Sequence, residues 1–331
     1  MHTTPLTDAA TPLLTSTESR MELTITARTP VADSVVELTL THPAGWPLPN
    51  WAPGAHLDLV LGPDLIRQYS LCGDPSDRAS YRVAVLREPD SRGGSLAVHE
   101  KLAVGDTIVT QGPRNNFALV DAPEYLFIAG GIGITPLIPM IAAVEARGIP
   151  FRLVYGGRAR ASMAYVELLE SRYPGCVEVC PQDQVGHLDL PKILGEHRPE
   201  RLVYTCGPAP LLDAIERFCT SWPSGSVNME RFRAKEADPG AIDTEFEVEL
   251  TQTGVTVTVP ADRSILDVAE EAGAVVISSC REGTCGSCET PILEGTADHR
   301  DSLLTQEEKD AQETMFICVS RSCSGRLVLD L

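Results

Sequence analysis

Residues 22–41, ELTITARTPVADSVVELTLT, alternate apolar and polar side chains, the period-two pattern of half-buried strands. Runs of the same kind follow at HLDLVL (56–61), YRVAVLRE (81–88) and DTIVTQG (106–112), punctuated by Gly, Pro and Asp. Short strands at this spacing predict an antiparallel barrel or sandwich over residues 21–121. The pattern changes near residue 122. EYLFIAGG is a continuous apolar strand ending in glycines, and TPLIPMIAAVEARG reads as a helix closed by glycine. FRLVYGG with MAYVELLESR, then RLVYTCGP with APLLDAIERF, repeat the strand–helix step, which predicts an α/β unit over 122–228 with a parallel sheet and helices on both faces. Residues 229–242 are charged, contain Pro-Gly and read as a linker. In the last part, 243–331, FEVELTQTGVTVTVP is a hairpin pattern, SILDVAEEAGA a helix with Ser264 as N-cap and Asp267 at the third helical position, and RLVLDL a closing strand. Residues 1–20, rich in Thr, Ser and Pro, read as a disordered tail.

Composition narrows the class. The 331 residues allow two or three domains. The longest apolar stretch, residues 126–144, carries three glycines and two prolines and fits the strand–loop–helix reading better than a membrane span. The N-terminus lacks the basic start and apolar run of a secretory signal, so a cytoplasmic location is expected. In that compartment clustered cysteines bind metal or do redox chemistry rather than form structural disulfides. The formal charge of −19 argues against a nucleic-acid partner. Residues 241–331 alone hold 18 acidic and 6 basic residues, a net −12. That surplus serves either solubility or the docking of a basic partner protein.

The chemistry concentrates in CREGTCGSC (280–288). Cys280, Cys285 and Cys288 have the spacing C-x4-C-x2-C, and Cys318 follows after 29 residues, the plant-type arrangement of four thiolates around a 2Fe–2S cluster. Gly283 and Gly286 permit the backbone angles that turn amides toward the sulfurs. Structural zinc is the alternative, but such sites usually pair two C-x2-C knuckles, and no second knuckle exists here. Cys323, five residues beyond Cys318, is expected to be a bystander. AGGIGITP (129–136) joins a strand to a helix, and Gly131 and Gly133 would let a dinucleotide approach the backbone at the helix N-terminus. Pro136 stands where a strict G-x-G-x-x-G has its last glycine, so the motif alone is a weak signal. Cys206, Gly207 and Pro208 end a later strand of the same sheet, where ligands bind. Cys206 would face a nicotinamide or act as a small buried hydrophobe.

A nicotinamide delivers two electrons as hydride, whereas a 2Fe–2S cluster takes one at a time. A flavin parts the pair, so the first unit is expected to hold one. RQYSL (67–71) and SRGGSL (91–96) offer arginines for phosphate, an aromatic face, hydroxyls and turn glycines.

In order, RQYSL, SRGGS, GPRNNF (112–117), AGGIGITP, YTCGP (204–208), ERF (230–232), CREGTCGSC and DHRDSLL (298–304) resemble the motifs of the phthalate dioxygenase reductase family, across about residues 21–331. The resemblance implies an antiparallel β-barrel that binds FMN, an NAD(P)-binding α/β domain and a C-terminal β-grasp ferredoxin domain. It further implies that Arg67, Gln68, Tyr69 and Ser70 line the isoalloxazine or its chain, with Ala84 and Leu86 passing beside it. Arg92, Gly94 and Ser95 would hold the phosphate, Thr135 would approach from the nucleotide side, and Phe232 would cover the ring. Ser70, Thr135 and Cys206 are the residues expected nearest the reacting atoms. Arg158 and Arg160, after the second nucleotide-domain strand, would accept a 2′-phosphate or be merely solvated, which leaves NADH and NADPH both open. The implied activity is an electron-transfer reductase, expected to be a monomer, that serves a Rieske-type oxygenase or demethylase, or alternatively a haem-thiolate monooxygenase. A non-catalytic redox sensor and a plain flavin reductase are the rivals.

Overall fold

The computed structural model describes residues 20–63, 65–89, 91–234 and 243–331. Its first sheet comprises β1 (Arg20–Ala32), β2 (Val35–Thr41), β3 (His56–Gly62), β4 (Leu65–Ser70), β5 (Ser80–Leu86) and β6 (Thr107–Arg114), in the order β4-β3-β6-β1-β2-β5 with every pair antiparallel. A bridge between Leu71 and Val83 joins the two ends, so the sheet closes into a barrel rather than opening into a sandwich. The apolar members of the alternating runs (Leu23, Ile25, Leu38, Leu40, Leu57 and Leu59) fill its interior. The expected tail loses one residue to the barrel, because Arg20 pairs with Gln111; residues 1–19 lie outside the described residues.

The second sheet is wholly parallel. It comprises β7 (Glu124–Gly130), β8 (Phe151–Gly157), β9 (Val177–Pro181), β10 (Arg201–Cys206) and β11 (Val227–Glu230), in the order β11-β10-β7-β8-β9. Successive residues of β7 enter different cores: Tyr125, Phe127 and Ala129 pack with the helix Leu137–Ala146, while Leu126 and Ile128 pack with the helix Ala209–Phe218. Both faces are thus covered, which explains the uninterrupted apolar run in β7. The linker expected over 229–242 starts too early. Met229 and Glu230 complete β11 by pairing with Thr205 and Cys206, and Arg231 is buried against Asp213 and Glu216. Residues 235–242 lie outside the described residues.

The third unit has β12 (Phe246–Leu250), β13 (Val255–Val259), β14 (Glu289–Glu294), β15 (Ala297–Asp298), β16 (Thr314–Phe316), β17 (Arg321–Ser322) and β18 (Arg326–Leu329). The hairpin β12–β13 adds the last strand in parallel, giving the order β13-β12-β18-β14-β16. The helix Ile265–Glu271 lays Ile265, Leu266, Val268 and Ala269 on this sheet, the β-grasp arrangement. Ser264 caps that helix as expected: its hydroxyl accepts from the Asp267 amide at 3.1 Å and donates to the Asp267 carboxylate at 2.7 Å. No helix among the described residues is long and apolar enough to cross a membrane.

Candidate redox site

The cysteine loop is held in an unusual backbone shape. Gly283 (φ 66°) and Gly286 (φ 79°) occupy the left-handed region. A Cβ at Gly283 would lie 2.7 Å from Val319, and one at Gly286 would lie 2.7 Å from the Asn116 amide of the barrel. Arg281 is also left-handed (φ 56°) and is held there by Asp267 (2.7 Å) and Glu270 (2.6 Å) of the capped helix. This winding aims the amides of Glu282 and Thr284 at Cys280 Sγ (3.3 and 3.5 Å) and the Cys280 amide at Cys285 Sγ (3.4 Å). The Cys280 thiol lies within hydrogen-bonding reach of the Cys285 and Cys318 thiols. Cys288 hydrogen-bonds Cys318 in turn, so all four expected ligands are linked. Four thiols gathered in this way and wrapped by backbone amides suit a cluster. Cys323 is exposed, with its amide bound to the Thr296 carbonyl beside the β15–β17 ribbon.

A cleft opens where the barrel meets the nucleotide unit. Arg67, Gln68, Tyr69 and Ser70 of β4, Ala84 and Leu86 of β5, Arg92, Gly94 and Ser95, Thr135 and Phe232 all line it. Glu88, Ser91, Ile132 and Arg233 line it too, and sequence reasoning had not included them. Gly94 opens the helix Gly94–Lys101, and a Cβ there would stand 2.4 Å from Arg67 Cγ; glycine lets the arginine cross the helix start. Arg67 is fixed by the carbonyls of Ile66 (2.8 Å) and Arg92 (2.9 Å). Arg67 at the first turn of this helix, with Arg92 beside it in the same cleft, is the chemistry an anion site would use. Ser95 Oγ donates to Ser91 Oγ (2.9 Å) and accepts from the Glu88 amide (3.1 Å), which ties the loop to the helix. Burial pushes the Tyr69 phenol up to about 12. Arg92 also forms an ion pair with Glu282 of the cysteine loop.

The order of the second sheet reverses between β7 and β10, so the switch-point crevice lies at their carboxyl ends. There a Cβ on Gly133 would fall 2.2 Å from the Cys206 carbonyl oxygen, and one on Gly207 would fall 3.0 Å from Gly130 Cα. Gly131 differs: its surroundings are open, and its φ of 55° is what favours glycine. Pro208 stands over Gly130, 2.6 Å from where a Cβ would lie. Thr135 is buried, with its hydroxyl bound to the Ile132 carbonyl (2.9 Å). Cys206 is fully buried and directs its thiol to Glu230 Oε2 at 3.9 Å, and Ser70 Oγ donates to the same oxygen at 3.4 Å. Loss of water pushes the Glu230 carboxyl up to about 8, against the lowering effect of these two hydrogen bonds. Sequence reasoning missed Glu230 because it fell in the expected linker. Its place in ERF was the available signal. Arg160 is already bound by both oxygens of Glu170 (2.6 and 3.1 Å), while Arg158 is exposed.

A second cleft connects the first to the cysteine loop. Gln68, Ser70, Arg92, Glu230 and Phe232 form one side, and Cys280, Glu282 and Thr284 the other. His56 borders it and is held neutral, pushed down to about 4 by burial with help from Arg114. The flavin-type cleft, the switch point and the cysteine loop therefore meet in one place.

Residues 248–323 match the model of the 2Fe-2S iron-sulfur cluster binding domain family. The chain is 40% identical to the toluene-4-sulfonate monooxygenase system reductase subunit TsaB1 of Comamonas testosteroni, over 93% of this chain and 98% of that one. It is 37% identical to the phthalate dioxygenase reductase of Burkholderia cepacia, over 94% and 97%. Among solved structures, an intact type IV self-sufficient cytochrome P450 monooxygenase superposes on 94% of this chain with a TM-score of 0.89 and 41% identity. The match covers 41% of that longer protein, so the chain spans about two fifths of it. With relatives this similar over nearly its whole length, the chain belongs to the phthalate dioxygenase reductase family.

Proposed function

We propose that this chain is the electron-supplying component of an oxygenase system, holding FMN in the barrel cleft, NAD(P)H at the switch-point crevice and a 2Fe–2S cluster in the cysteine loop. When bound, the flavin supplies the exchange between hydride and single electrons, and the cluster carries one electron at a time. The observation that carries this reading is the shared wall: Gln68, Ser70, Arg92 and Phe232 border both the barrel cleft and the passage to Cys280. Arg67 and Arg92 hold the phosphate end, with the helix start at Gly94 beneath them. Phe232, 40% exposed, covers the cleft from the nucleotide side and can yield to a nicotinamide. Glu230 retains a proton at neutral pH next to Ser70 and Cys206, where a buried carboxyl can exchange it with the reacting groups. Cys280, Cys285, Cys288 and Cys318 are the four ligands.

The acceptor we propose is a Rieske-type oxygenase, because the relatives across the full chain are named as reductase components of separate oxygenase systems. The match to part of a self-sufficient cytochrome P450 favours a haem-thiolate acceptor as the second reading. Purified holoprotein is expected to release FMN on denaturation, to contain iron and acid-labile sulfide, and to reduce ferricyanide with NAD(P)H. Serine at any of the four ligand cysteines abolishes the cluster absorbance, and Cys323→Ser preserves it. A preparation with zinc in place of iron, or with no flavin, refutes the reading; a fully loaded protein without turnover returns the sensor.

A further inference from the structure

In β3 the alternation sends Leu57 and Leu59 into the barrel core and His56 and Asp58 outward. Outward polar residues of a barrel normally meet water. Asp58 is 0% exposed, because the cysteine loop covers it. Its neighbours come from both flanking strands. Gln68 of β4 stands directly opposite, and Arg114 of β6 reaches Asp58 Oδ1 at 2.6 Å. Ser279, the residue before the ligand Cys280, donates its hydroxyl to Asp58 Oδ2 at 2.5 Å and accepts from Gln68 Nε2 at 2.7 Å. The same Gln68 nitrogen lies 3.1 Å from Asp58 Oδ1. One residue thus joins a wall of the flavin-type cleft to the residue that leads into the cluster. Two other contacts reach the same loop: Asn116 Nδ2 donates to the Cys285 carbonyl at 2.8 Å, and Arg92 pairs with Glu282.

We propose that Asp58 is a positioning residue that fixes the separation between the flavin cleft and the cluster loop, and with it the rate at which electrons pass between them. This rests on the reading of the two clefts given above. The buried carboxylate is tied to the loop through Ser279 and to the barrel through Arg114 and Gln68, so its oxygen contacts hold one geometry. Neither Asp58 nor Ser279 lines the cleft in which hydride transfer would occur. Electron tunnelling falls exponentially with distance, so a small retreat of the loop slows that step and leaves the hydride step alone.

The test is anaerobic stopped flow on holoprotein with NAD(P)H, which separates bleaching of the flavin from the later reduction of the cluster. Amide exchange of residues 56–59 and 279–286 is measured alongside. Asp58→Ala and Ser279→Ala are expected to slow cluster reduction by about tenfold, with flavin bleaching within about twofold of wild type. Both segments are expected to exchange faster. Asp58→Asn keeps an oxygen for Ser279 and should lie nearer wild type. Ser279→Ala leaves Arg114 paired with Asp58, so it decides the matter if Asp58→Ala fails to fold. Unchanged cluster reduction in loaded Ser279→Ala protein overturns the proposal, as does an equal fall in both steps. A wild-type protein without flavin or cluster overturns the underlying functional reading and the proposal with it.

Discussion

Gly133→Ala is the sharpest test of the nucleotide crevice. The added Cβ would stand 2.2 Å from the Cys206 carbonyl oxygen, 2.4 Å from its carbonyl carbon and 2.6 Å from the Gly207 nitrogen. Ordinary contact begins near 3.4 Å, so about 1.2 Å must be recovered from backbone that has no rotamer to change. The strands β7 and β10 would have to part at their carboxyl ends, where Gly130 and Gly207 also touch. Overpacking of this kind costs about 1–3 kcal/mol. The displacement falls on the crevice itself, so an effect on kcat/KM for NAD(P)H of about a hundredfold is expected. Gly131→Ala separates clash from strain. Its Cβ meets nothing within 4 Å, and its penalty is the left-handed φ of 55°, about 1–3 kcal/mol of strain. Thermal unfolding and ferricyanide reduction at varied NAD(P)H concentration compare the two. Gly133→Ala should lose nucleotide kinetics out of proportion to its stability loss. If Gly133→Ala turns over within about twofold of wild type, the switch-point reading is refuted.

Two further outcomes follow from charged groups at the same face. Arg160 is already engaged by Glu170, so Arg158→Ala should lower kcat/KM for NADPH relative to NADH, by about tenfold where a charge-assisted phosphate contact is lost, and Arg160→Ala should change that ratio less. The Glu230 carboxyl, at about 8 in the folded protein against 4.5 ordinarily, is protonated on folding across that window. Its contribution to stability is therefore fully present below pH 4.5 and is lost as pH rises through 8, and Glu230→Gln should flatten the fall in unfolding midpoint over that range.

The barrel was legible wherever one face of a strand meets the core and the other meets water. β1, β2, β3, β5 and β6 all fall on alternating runs, and β7, β8 and β10 fall on apolar runs that end in glycine or cysteine. The four proposed cluster ligands came from spacing, and the structure brings them together: three lie in one short loop whose glycines have left-handed backbone angles that few other residues adopt, and Cys318 joins them from further along the chain. β11 was not legible. Its sequence VNME is four residues long, ends in a carboxylate and is a strand only because it pairs with β10, a contact with no local signature. Glu230 was lost with it, because the ordinary expectation for a glutamate beside Arg-Phe-Arg is solvent.

Asp58 and His56 show the deeper limit. Alternation states which side of a strand a residue occupies, and it was right about both: they point away from the barrel core. It carries no information about what lies beyond that side. In a single barrel the outer face is water, and HLDLVL reads as three core residues separated by solvated ones. In this chain the outer face of β4, β3 and β6 is roofed by a loop far along the sequence, 221 residues from Asp58 to Ser279, and the outward positions His56 and Asp58 are buried. A carboxylate so enclosed would be costly unless matched, and the match is supplied from the two flanking strands and the roof together. Polar residues at outward positions, with complementary partners on the adjoining strands, are therefore where an electron-transfer chain built from separate modules encodes how those modules meet.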